Sequence, residues 1–136
     1  MTPYIKPLPV IDESSAPFWV AAKKRVLQLP KCSDCNQLRI QFERWCPSCS
    51  SESFTWETMS GEGTVWSHCA FHRPYFKEFE NEIPYNVVLI KLKEGPKLIS
   101  NLLEIQSDDI KIGLPVKVYF EDVTEDVTLI KFKPVM

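Results

Sequence analysis

Four of the five cysteines in this 136-residue chain stand in two pairs, and they are the residues best placed to do chemistry. Two residues separate Cys32 from Cys35, two separate Cys46 from Cys49, and ten lie between the pairs. Taken alone, Arg44-Trp45-Cys46-Pro47-Ser48-Cys49 has the look of a thioredoxin-like redox site. Such a site needs its Cys-x-x-Cys at the start of a helix that follows a strand. Here Ser50, Ser51, Glu52, Ser53 and Phe54 follow without helical periodicity, and a second Cys-x-x-Cys lies close by. Two such turns brought together by a short hairpin place four sulfurs tetrahedrally, about 2.3 Å from a Zn²⁺ ion. The spacing therefore points to zinc held by Cys32, Cys35, Cys46 and Cys49. With every coordination position filled by sulfur, none is open to water or substrate, and the metal is expected to be structural.

The residues around the pairs fit that expectation. Asn36 follows the first pair, where the chain needs a left-handed residue, and asparagine accepts that conformation. Pro47 presets the turn of the second pair. Four thiolates and one Zn²⁺ carry a net charge of about −2, which Lys31, Arg39 and Arg44 are near enough in sequence to offset. A module of this size with few apolar residues needs the metal for its folding, to the extent of about 10 kcal/mol or more. The fifth cysteine, Cys69, lies beside His68 and near His72. In a strand Cys69 points away from the face that carries His68. It is read as a small buried strand residue rather than a nucleophile.

The elements that position these residues follow from pattern. Residues 1–12 carry Pro3, Pro7 and Pro9 and read as an extended arm. Ser14 or Ser15 offers an N-cap, Pro17 suits the first turn, and Phe18, Ala22, Val26 and Leu27 recur at helical spacing. A helix is expected over 15–29, closed by Pro30. Leu38, Ile40 and Phe42 alternate with polar neighbours, which predicts a half-exposed strand in the hairpin that joins the cysteine pairs. Beyond Trp56, five stretches read as strands separated by turn signals. They are GEGTVWSHCAFH, YNVVLIKLKEG, PKLISNLLEI, IGLPVKVYFEDV and VTLIKFKPV. Five short antiparallel strands suit a small closed barrel, with the OB-fold first. The expected organisation is mainly β: an N-terminal arm and helix (1–29), a rubredoxin-like zinc ribbon (30–57) and a five-stranded OB-fold barrel (58–136).

Composition excludes several classes. At 44% hydrophobic and 25% charged the chain is ordinary globular material. A net charge of −2 provides no overall attraction to nucleic acid or anionic membrane. No apolar run approaches the ~18 residues of a spanning helix, and the first residues carry no secretory h-region. A cytoplasmic location is expected, where paired cysteines bind metals rather than form disulfides. Charge is uneven, however. Residues 23–44 hold six basic and two acidic side chains, and residues 45–136 hold nine basic and fourteen acidic. The cysteine module is the cationic end of a dipolar protein.

In this order the pieces resemble a known family. The residues that carry the resemblance are LPKCSDC and CPSC, SGEGTVWSHCAFHRP with its Gly-x-Gly-x-Val strand, PYNVVLIKLKEGPKLISNL, and IGLPVKVYF. The chain is similar to the zinc-ribbon/OB-fold acyl-CoA-associated family known as domain of unknown function thirty-five, over nearly its whole length. That resemblance implies an accessory subunit without catalysis of its own. Its implied partner is a thiolase-like enzyme, an aldolase or an enoyl-CoA hydratase, whose coenzyme A site it completes or shields. Acyl-CoA is then the implied ligand, and a homo-oligomer is compatible with it. Lys23, Lys24, Arg25, Arg39 and Arg44 could receive coenzyme A phosphates, and Trp66, Phe71, Tyr75 and Phe76 could cover an acyl chain. Arg73 is the first choice of ligand contact in the barrel. The alternative reading is a nucleic-acid-binding zinc-ribbon/OB module. The acidic balance of the barrel and the aliphatic face of YNVVLIKLK argue against it. Against a stand-alone enzyme, titratable candidates outside the cysteines are few, namely His68, His72 and carboxylates at turns, and neither a Gly-rich phosphate loop nor a hydrolase nucleophile elbow occurs.

Overall fold

The computed structural model describes residues 8–39, 44–73 and 77–135. Of the expected arm, residues 1–7 lie outside the described residues and 8–12 have no regular structure; a turn then leads to helix α1 (Ala16–Lys23), followed by strands β1 (Gln28–Cys32) and β2 (Phe54–Thr58). Then come β3 (Glu62–Phe71), β4 (Tyr85–Leu92), β5 (Lys97–Ser100), β6 (Pro115–Asp122) and β7 (Thr128–Pro134). Short 3₁₀ turns at Lys77–Glu82 and Ser107–Asp109 link β3 to β4 and β5 to β6.

Helix α1 is shorter than the expected 15–29, and both of its ends have local causes. Ser15 occupies the N-cap position, but its hydroxyl accepts from the Asp12 amide at 3.2 Å while Asp12 Oδ1 accepts from the Ser15 amide at 2.9 Å. This reciprocal pairing, like a capping box one turn early, fixes the entry. Pro17 stands in the first turn as expected. At the other end Arg25 turns left-handed, at φ 66°. The Arg25 amide donates to the Ala22 carbonyl (3.0 Å) and the Val26 amide to the Ala21 carbonyl (2.9 Å). That is a Schellman stop with arginine in the place glycine usually takes. The arginine is held there by Asp122 of β6, which accepts from both of its terminal nitrogens. Leu27 and Leu29, expected within the helix, instead lie just before β1 and inside it, and are 2% and 0% exposed.

β1 and β2 form a two-stranded antiparallel sheet that pairs Cys32 with Phe54 and Pro30 with Trp56. The ribbon's sheet thus comes from strands flanking the cysteines. Leu38 contributes an isolated bridge to Lys31, and Ile40 and Phe42 of the expected hairpin lie outside the described residues.

The five expected barrel strands all form, in the sheet order β5-β4-β3-β6-β7. In β4 Asn86, Val88, Ile90 and Leu92 are buried in alternation, the strand period pointing one face inward. They meet Val116, Phe132 and the incoming Leu27 and Leu29 in one core. Gly61, at φ 82°, lies so close to Val118 that a Cβ would overlap it. A bulge between Val65 and Ser67 turns Trp66 outward, leaving it 48% exposed.

The curled sheet closes through a parallel bridge between Leu102 and Phe132. Asn86 fastens this seam: its amide nitrogen donates to the Leu102 carbonyl (2.8 Å) and its oxygen accepts from the Leu102 amide (2.7 Å). Asn101 reaches back to the Asn86 carbonyl and accepts from Lys131 at 2.6 Å.

Two tests follow from these contacts. Asn86→Ala strands two buried backbone groups and is expected to cost about 2–3 kcal/mol in urea unfolding. Asp122 is held well below the usual carboxylate range, first by the Arg25 hydrogen bonds and then by the Thr128 hydroxyl. A carboxylate depressed in the folded state contributes stability above its unfolded pKa of about 3.9 and loses it as pH falls below that. The stability gap between wild type and Asp122→Asn should therefore be constant above about pH 5 and narrow below about pH 4. Urea titrations across that range would measure it.

Candidate metal centre

The two Cys-x-x-Cys turns have the same backbone geometry. In the first, the Cys32 amide donates to the Gln37 carbonyl (2.9 Å) and the Asn36 amide to the Cys32 carbonyl (3.0 Å). In the second, the Cys46 amide donates to Ser51 (2.8 Å) and the Ser50 amide to Cys46 (2.9 Å). Each turn ends on a left-handed residue, Asn36 at φ 65° and Ser50 at φ 63°. Asn36 carries the sequence signal for that conformation. Ser50 does not, and only its equivalence to Asn36 in the second turn could have pointed to it.

The turns bring all four sulfurs within 4.8 Å of one another. Cys32 and Cys49 are 3.5 Å apart, and Cys35 and Cys46 are 3.6 Å apart. A tetrahedral site with metal–sulfur bonds of 2.3 Å needs sulfurs ~3.8 Å apart. The residues present fit a tetrathiolate metal site. Cys32 and Cys46 are buried, and Cys35 and Cys49 face outward.

The surroundings divide the sulfurs into donors of different ease. The Cys35 amide, with that of Asp34, stabilises the Cys32 thiolate and brings its pKa down to about 6. Burial opposes ionisation of Cys46, yet the Cys49 and Ser48 amides prevail and lower it. Cys49 accepts from the Ser51 amide, but the neighbouring sulfurs, Cys32 foremost, push it up to about 12. The inner sulfur of each turn is the one its amides prepare as a thiolate.

Most of the nearby cations already have carboxylate partners. Lys31 pairs with Glu57 at 3.8 Å, and Arg44 pairs with Glu52 while lying over the Trp45 ring. Lys23 and Arg25 share Asp122, and Lys24 is exposed. Arg39 is 2% exposed and donates to the Ser51 carbonyl at 3.0 Å. On the barrel, Trp66 carries Lys97 over its ring at 4.1 Å and Lys91 at 5.1 Å. Phe71 packs against Tyr85, Arg73 is exposed just past β3, and Tyr75 and Phe76 lie outside the described residues.

Cys69 corrects an expectation: it is exposed, opposite Val87, on a stretch of β3 that carries water-facing residues on both sides. His68 and His72 are exposed as well. Sequence reasoning missed a groove of about 780 Å³ whose lining includes His72, Tyr85, Asn86, Ile99, Asn101 and Lys131. No spacing in the chain announces it, because its walls come from all five barrel strands and the segment after β5.

Comparison with known proteins matches residues 56–121 to the family described as the C-terminal OB-fold domain of ChsH2. A probable enoyl-CoA hydratase alpha subunit of Thermomonospora curvata is 37% identical over 132 residues. That alignment takes in 96% of this chain and 40% of the subunit, so the chain spans well under half of that relative. A DUF35 domain-containing scaffold protein of Methanocaldococcus jannaschii is 29% identical over 91% of this chain and 93% of its own. Among solved structures, one chain of the Ltp2-ChsH2(DUF35) aldolase superposes with a TM-score of 0.82 at 35% identity. The match covers 93% of this chain and 98% of that one. The fold is thus shared over nearly the whole chain, and the chain belongs to the DUF35 family.

Proposed function

We propose that this protein is a zinc-binding accessory subunit. It docks on a thiolase-like or other acyl-CoA-processing enzyme and helps to form or shield that enzyme's coenzyme A and acyl site. The observation that carries the reading is the end-to-end likeness to the DUF35 chain of an aldolase assembly. Relatives named as a hydratase subunit and as a scaffold protein support it.

In this reading residues 30–57 are the clasp and residues 58–136 the docking barrel, with helix α1 packed against β1 of the first and β6 and β7 of the second. Cys32, Cys35, Cys46 and Cys49 hold one Zn²⁺, which supplies folding rather than catalysis because its four positions are filled. Trp66, turned out by its bulge, and Arg73, beyond the end of β3, are the barrel residues assigned to the coenzyme A arm or to the partner around it. Arg44, engaged by Glu52, contributes at the rim. The exposed Trp66 and Arg73 are of the types that concentrate at interfaces. No helix among the described residues is long and apolar enough to cross a membrane.

Docking is tested by mixing the purified chain with a thiolase-like aldolase of the Ltp2 type and following size-exclusion elution. A stable complex, together with no acyl-CoA turnover by the chain alone, is the expected result. Separate elution at micromolar concentrations, or turnover by the isolated chain, would count against the proposal. The clasp is tested by chelation and by Cys46→Ser. Either should raise amide exchange across 28–58 by orders of magnitude while β4 keeps its protection. Unchanged exchange in the ribbon would show that no metal holds it.

A further inference from the structure

Arg39 is a buried cation with no carboxylate partner among the described residues. Its guanidinium is 2% exposed and lies 5.0 Å from the centre of the Phe54 ring. One terminal nitrogen donates to the Ser51 carbonyl at 3.0 Å and to the Ser53 carbonyl at 3.5 Å. Its Nε and its other terminal nitrogen are buried without a partner among the described residues. A charge removed from water in this way is strongly unfavourable unless an opposite charge compensates it.

The two carbonyls that Arg39 does reach locate it. Ser51 O also accepts from the Cys46 amide, the bond that closes the second knuckle. Ser53 O also accepts from the Ser33 amide, inside the first. The Arg39 amide is tied to Pro30 O at 2.7 Å, on the strand that ends in Cys32. One guanidinium nitrogen therefore bonds two carbonyls that each also accept an amide from a knuckle, Cys46 of the second and Ser33 of the first. Of the three cations in the described part of the ribbon, Lys31 and Arg44 are matched by Glu57 and Glu52. Arg39 is the unmatched one. A tetrathiolate around a divalent ion carries about −2, the charge that a buried, unpaired arginine lacks.

We propose that Arg39 is a positioning residue for the metal centre, whose positive charge holds the tetrathiolate's surplus negative charge while one of its nitrogens ties together the carbonyls on which both knuckles close. This rests on the reading of the four-cysteine cluster as a Zn²⁺ site. Through that charge, metal occupancy and the buried arginine stabilise each other. Lys31 and Arg44, with carboxylates of their own, contribute little.

The test compares Arg39→Lys, which keeps the charge, with Arg39→Gln, which keeps a hydrogen-bond donor and loses the charge. Zn²⁺ affinity is read by competition with a chromophoric chelator on the full-length chain, and the ligand set by the sulfur-to-metal absorption of the Co²⁺ form. The Gln variant is expected to bind Zn²⁺ about 10–100-fold more weakly, the usual scale for an outer partner of a metal ligand. The Lys variant should stay within about tenfold of wild type, with the Co²⁺ spectrum unchanged in shape. A Gln variant within threefold of wild type overturns the proposal, as does a Lys variant more than tenfold weaker. If the Gln variant does not fold, the Lys variant decides alone by the same limit. Wild-type protein that takes up neither Zn²⁺ nor Co²⁺ would instead remove the zinc reading on which the proposal stands.

Discussion

Four cysteine sulfurs gathered within 4.8 Å are a constraint that the surrounding backbone must meet. The sulfurs cannot all ionise at that separation without a cation among them. Knuckle amides favour ionisation at Cys32 and Cys46, while burial and the neighbouring sulfurs leave Cys35 and Cys49 resistant despite an amide at each. A divalent ion held by all four would resolve the conflict and turn four competing thiols into one rigid vertex. From that vertex the rest is placed in order. Cys32 is the last residue of β1, whose other end leads back to Leu29 and Leu27 in the barrel core. The sulfur cluster and the hydrophobic core are thus the two ends of one short strand.

The barrel meets the chain from the other side. Leu27 O accepts from the Met59 amide at 2.8 Å, so the link from α1 and the exit from β2 enter the barrel together. Asp122 then clamps Arg25 at the helix stop and takes the Thr128 hydroxyl at 2.6 Å. Helix, ribbon and barrel therefore share contacts, and motions between them are opposed by core packing as well as by surface charge. This suits an accessory subunit, which must present a fixed surface. An ordered surface loses less conformational entropy on docking.

What the sequence disclosed depended on whether the determining partner was near in the chain. Cys32, Cys35, Cys46 and Cys49 were legible because a knuckle is a local turn and its spacing is linear. The five barrel strands were legible because alternation such as Asn86, Val88, Ile90, Leu92 is a two-residue pattern. The helix end was misplaced because Arg25 turns left-handed in the grip of Asp122, ninety-seven positions away. β1 was hidden by its brevity, since its five residues run on from the helical spacing of Phe18, Ala22 and Val26 and end at the first cysteine. Cys69 was misjudged because residues on both sides of its stretch of β3 meet water, which breaks the simple alternation. The burial of Arg39 could not be read at all: its surroundings come from β1, the second knuckle and Phe54.

The account stands most directly on the identity of the atoms around the metal. X-ray absorption at the zinc edge of the purified, full-length protein would report them. Four sulfur neighbours at about 2.3 Å with no nitrogen or oxygen in the shell is the predicted result. A mixed shell, fewer than four sulfurs, or folded protein without metal would contradict it.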